Sequence, residues 1–159
     1  MKIFISTDLT TIPIELFETY TAKKIHSALP IESIAETWGD EIYLETPVTA
    51  LLETGAEAEC EIGTVGYWPP GKAFCVFFGR TPASTNEKPR AASPINVIGK
   101  IIGPATIAKK IISGQRIIIS TTPPNDKNDK STGLGNRGEI IESVTPSLTK
   151  IFPSSQLAT

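Results

Sequence analysis

A mostly β, antiparallel domain with two short helices is the fold class this sequence predicts, on three observations. Residues 31–38 alternate apolar and polar with a period of two, then turn back through Gly39-Asp40 onto residues 41–45. Residues 73–78 are wholly apolar, the pattern of a strand covered on both faces. Only residues 19–29 and 105–112 combine helical spacing or a proline start with a clear stop.

Composition bounds the function. A chain of 159 residues, 40% of them hydrophobic, suits one domain with a real core and excludes wholesale disorder. A formal net charge of −2, without a basic cluster, gives no electrostatic motive for binding nucleic acid or an anionic membrane. Apolar runs such as Ile117-Ile118-Ile119 are too short to span a bilayer as a helix. The first residues meet Asp8 before any signal-peptide core can form, so a cytoplasmic location is expected. Cys60 and Cys75 have no histidine at ligand spacing and are read as free thiols, Cys75 packing as a small apolar residue. No metal and no cofactor are expected.

Taken in order, residues 2–6 and 12–17 alternate around Asp8-Leu9-Thr10 and form a two-stranded meander. Residues 19–29 form the long helix. Ile25, Ala28 and Leu29 share one face with Tyr20 or Ala22 a turn earlier, Thr19 or Thr21 caps it, and Pro30 stops it. His26, the single histidine, reads as a boundary residue of that helix. In the hairpin that follows, Glu41, Tyr43 and Glu45 share a face, and its acidic pair reads as solvated. Residues 48–59 stay open between a short helix and a loop with strand ends, while Glu57, Glu59 and Glu61 alternate as on an exposed strand edge.

Next comes the stretch that organises the chain, Tyr67-Trp68-Pro69-Pro70-Gly71 running into residues 73–78. Two prolines fix φ near about −65° and remove two donors, so the chain must leave its ladder there. In the strand beyond, Phe74, Val76 and Phe78 take one face and Ala73, Cys75 and Phe77 the other. The bulkier set suits an interior and the smaller one leaves room for a groove. Residues 80–92 read as a long surface loop. Residues 95–102 form a strand in which Gly99 marks a bend or a close backbone approach. Gly103-Pro104 opens a short helix over 105–112, and residues 115–121 form the last strand. From residue 122 the composition turns polar, and 122–159 is expected to be a largely disordered tail outside the 1–121 domain. Within it, Gly133-Leu134-Gly135-Asn136-Arg137-Gly138 nearly matches a dinucleotide fingerprint but follows no strand.

The succession Trp38-Gly39-Asp40-Glu41-Ile42-Tyr43, Thr46-Pro47, Val65-Gly66-Tyr67-Trp68-Pro69-Pro70-Gly71, Phe77-Phe78-Gly79, Thr81-Pro82 and Ala92-Ser93-Pro94-Ile95-Asn96-Val97-Ile98-Gly99-Lys100 resembles the small prokaryotic cyclophilin-like proteins of unknown function. The resemblance covers about residues 1–121. It implies a closed eight-stranded antiparallel barrel capped by two helices, and the strand count agrees. True cyclophilins are peptidyl-prolyl isomerases whose site uses an arginine, aromatics, a glutamine and a histidine. The arginine polarises the amide nitrogen and eases a rotation with a barrier of about 18–20 kcal/mol. Here residues 73–78 contain no glutamine, Pro94 and Ile95 stand on the approach that resembles the histidine segment, and no arginine precedes Arg80. Isomerase activity is therefore not expected.

Nucleophilic triads are excluded for want of a base near Ser93 or Cys75. What remains is a binding module holding a peptide or small molecule in an aromatic groove. Its candidate residues are Glu41, Tyr43, Tyr67, Trp68, Cys75 and Phe77, with Arg80 supplying charge. The alternatives are a divergent isomerase lacking the usual arginine, and an assembly protein pairing with a second copy through an apolar surface.

Overall fold

The computed structural model describes residues 1–124, so the expected tail lies, from residue 125 on, outside the described residues. The chain runs through β1 (Lys2–Ser6), β2 (Thr11–Leu16), α1 (Tyr20–Ala28), β3 (Ile31–Ile34), β4 (Glu36–Thr37), β5 (Glu41–Glu45), β6 (Glu57–Glu59), β7 (Thr64–Trp68), β8 (Ala73–Phe77), β9 (Arg90–Ile101) and β10 (Arg116–Ser120). Short 3-10 turns occupy Pro69–Gly71 and Ala105–Lys110. The second expected helix is thus a 3-10 segment: six residues, with β-branched Thr106 and Ile107 inside it, gain little from α-helical bonding. In α1 the Thr19 hydroxyl accepts from the Ala22 N–H at 3.1 Å, and Ala22 and Ile25 enter the core. Tyr20, the other residue a turn before Ile25, is 69% exposed. No helix among the described residues is long and apolar enough to cross a membrane.

The strands form one antiparallel sheet in the order β3-β10-β1-β2-β9-β7-β8-β5-β4, with β6 attached to β9 beside this path. This corrects the closed eight-stranded barrel. There are ten strands and the sheet is open, because no pair among the described residues joins β3 to β4. A barrel needs a ladder between its first and last strands. Here they are separated in sequence only by Ala35, whose backbone is already engaged. Its N–H donates to the Gln115 carbonyl and its own carbonyl accepts from the Gly114 N–H, both at 2.8 Å. Ala35 is thereby held to the turn before β10, while β4, only two residues long, crosses to pair with β5.

The expected loop over residues 80–92 also ends early, since β9 begins at Arg90. The β6–β9 ladder passes from Glu57↔Ile95 to Glu59↔Arg90 and skips residues 91–94. Pro94, which cannot donate to a ladder, falls inside that irregularity. Further along β9, Gly99 lies opposite Val65 and Leu16, and a β-carbon there would strike the Glu15 carbonyl, so the close backbone approach is real.

Apolar residues collect in two clusters. The larger holds Ile3, Ile14, Ile25, Tyr67, Phe74 and Val76 among others. The smaller, made by Ala73, Cys75, Phe77, Ala91 and Ile95, lies across β8 from it. Both faces of β8 are covered, as its unbroken apolar run requires.

Candidate functional site

The smaller cluster borders a pocket of about 150 Å3. Its position follows from strand register. Tyr43 pairs with Cys75, Glu41 with Phe77 and Trp68 with Ala73, so these side chains emerge on one face of β5, β8 and β7. The hairpin turn is closed by Trp38 N–H to Glu41 O at 2.9 Å and Glu41 N–H to Trp38 O at 3.3 Å, which sets Trp38 beside that face. Trp38, Tyr43 and Trp68 supply aromatic walls, Glu41 and Cys75 the floor, and Ala91 and Ala92 the remaining side.

Trp68 is fixed from two directions. Its indole N–H donates to the Ser93 hydroxyl at 2.7 Å. Gly71 lies so close to the ring that a β-carbon there would sit 2.8 Å from Cζ3. The skipped stretch of β9 therefore contributes both the pocket's alanine side and the anchor of its tryptophan. A second, larger depression shares Tyr43 and Trp68 and is bordered by Glu36 and Glu45.

Glu41 carries the chemistry. Only 5% of it is exposed, and its Oε1 is buried with no hydrogen-bond partner among the described residues. Burial pushes its carboxyl up to about 7, opposed in part by the nearby Cys75 thiol, whose own hydrogen bond runs to the Ala73 carbonyl at 3.7 Å. The acidic pair read as a solvated hairpin face is therefore split, Glu41 sealed in and Glu45 exposed. Burial, followed by the charge of Glu41, holds the Cys75 thiol well above its usual range. Cys60, packed against the same cluster, is pushed up to about 12, again by burial first. Both thiols are free and protonated at neutral pH, which leaves them donors rather than nucleophiles.

The candidate residues divide accordingly. Glu41, Tyr43, Trp68 and Cys75 meet at the pocket. Tyr67 does not, because β7 turns it to the opposite face, where its hydroxyl donates to Val48 O at 2.6 Å and accepts from Ala50 N–H at 3.3 Å. Phe77 lies on the expected side of β8 but is fully buried in the smaller cluster and is not a wall of the pocket. Arg80 stands on the surface against Glu87 at 3.3 Å. Trp38, outside the candidate set, is a wall of the pocket. Ala91 and Ala92 were missed, because the prolines around them signal a loop.

Residues 1–120 match the family model described as cyclophilin-like. The chain belongs to the cyclophilin-like family. The solution structure of a hypothetical protein from Archaeoglobus fulgidus is 38% identical to this cyclophilin-like chain, with a TM-score of 0.65 over 77% of it and 95% of the archaeal protein. That similarity agrees with a small prokaryotic group of unknown function. McbB in complex with tryptophan is 13% identical, with a TM-score of 0.55 over 77% of this chain and 45% of McbB, a likeness of fold alone. Among curated proteins, none is detectably similar. Among the described residues, no arginine, glutamine or histidine lines the pocket of this cyclophilin-like domain.

Proposed function

We propose that this cyclophilin-like domain is a binding module that takes a small molecule between Trp38, Tyr43 and Trp68, without isomerising proline bonds. The reading is carried by the buried Glu41 oxygen, which has no partner among the described residues, in the lining of an aromatic pocket. An unmet buried acceptor costs about 1–3 kcal/mol, a cost that a ligand bringing the missing donor would offset. At about 150 Å3 the pocket is smaller than the ~300–1,000 Å3 that drug-sized ligands occupy, which favours one ring or one branched group over a folded peptide.

Both tryptophans of the chain line this pocket, so intrinsic fluorescence reports its occupancy directly. Titration with a panel of small cyclic and branched compounds should give saturable changes that weaken when Ala92→Leu fills the pocket. Saturation unaffected by that substitution would place binding elsewhere. On a proline-containing peptide the expected isomerisation rate is the uncatalysed one. A clear excess, lost in Arg80→Ala, would overturn the non-catalytic part of the reading.

A further inference from the structure

Resting on that reading of the pocket, we infer that its ligand is a small organic ammonium ion bearing at least one N–H. Three observations converge on this chemistry. Trp38, Tyr43 and Trp68 give the pocket three aromatic walls, and aromatic faces attract a cation through their negative quadrupole. The Trp68 indole N–H is occupied by Ser93, so this ring has no free donor for a ligand. The third observation is Glu41, a lining residue whose Oε1 is buried and has no donor among the described residues. A neutral apolar guest would leave that oxygen unmet. A quaternary ammonium would satisfy the charge but not the hydrogen bond. An alkylammonium with an N–H satisfies both, and its alkyl branches meet Ala91 and Ala92.

Charge bookkeeping agrees. The titratable groups that bear on Glu41 are Cys75 from β8 and Cys60 from the chain before β7, and both thiols stay neutral through neutral pH. No basic side chain lines the pocket, so an entering cation is the sole counter-charge for an ionised Glu41 among the lining residues. Binding draws the proton off Glu41, and affinity for an ammonium should therefore rise as pH increases through about 7 and level off above it.

Three probes of nearly equal shape test the inference by tryptophan fluorescence on the full chain at pH 8: tert-butylammonium, tetramethylammonium and tert-butanol. Tert-butylammonium should bind tightest, with tert-butanol weaker by about tenfold or more, the loss expected for one charge-assisted hydrogen bond. Glu41→Gln should erase the advantage of tert-butylammonium over tert-butanol. Equal affinities for tert-butanol and tert-butylammonium overturn the inference while leaving an apolar pocket standing. So does tetramethylammonium binding as tightly as tert-butylammonium. Silence from all three also overturns it, and the pocket reading is then decided by the broader panel. Heat denaturation of Glu41→Gln confirms that the variant is folded, so a lost preference cannot be mistaken for a lost structure.

Discussion

At the scale of one residue, Glu41 is the point where fold and function oppose each other. A carboxyl with an ordinary value of 4.5 that rises to about 7 in the folded chain holds its proton more tightly when folded than when unfolded. Its contribution to stability is fully present below pH 4.5 and is lost as pH climbs to about 7. The fold should therefore weaken by roughly 3 kcal/mol across that window on account of this group alone. Urea midpoints of the chain and of Glu41→Gln, measured from pH 5 to about pH 8, check this. The variant should be the less pH-dependent and the more stable at the upper end. Parallel profiles would show that Glu41 is not desolvated as described. Alternation along residues 41–45 revealed that Glu41, Tyr43 and Glu45 share a face. Whether that face is covered was not legible, because the cover comes from Ala91 and Ala92, some fifty positions away.

At the scale of elements, β8 divides two interiors. Phe74 belongs to the larger cluster, and Phe74→Ala should destabilise by about 3–5 kcal/mol. The sequence puts Phe77 on the side of β8 that leaves room for a groove, which predicts the lighter loss. Its complete burial against Ala91 and Ile95 places Phe77→Ala in the same range. Matched denaturation curves decide between the two expectations. A second device ties the segment after β5 to the sheet. Asn96 donates to Thr21 Oγ1 at 3.0 Å and Leu51 O at 2.9 Å and accepts from Glu53 N–H at 2.7 Å, while the Glu53 carboxylate takes the Thr21 N–H at 3.1 Å near the start of α1. Asn96→Ala strands these partners and should cost about 2–3 kcal/mol, read from the shift in denaturant midpoint. Little of this could be foreseen. The hairpin and β8 declare themselves through local period and turn chemistry. The 48–59 segment is held by long-range hydrogen bonds that have no local pattern, and β9 is a strand because β6 and β7 pair with it, against the loop signal of Pro89 and Pro94.

At the scale of the molecule, the resemblance led to the family, and the family model over residues 1–120 shows it. Closure did not follow from resemblance, since it depends on one ladder at the seam, and Ala35 is bonded to the turn before β10 instead. The outer face of β5 and β8 is the ground on which the pocket is built, and the irregular start of β9 walls it. Amide and indole nitrogen–proton spectra, recorded while tert-butylammonium or a ring compound that alters tryptophan fluorescence is added, test the central claim most directly. The shifts should concentrate on Trp38, Glu41, Tyr43, Ala91 and Ala92 and on the Trp68 indole. Shifts centred instead on the acidic cleft around Glu53, Glu57 and Glu59, with the two indole signals unmoved, would contradict the assignment of the site.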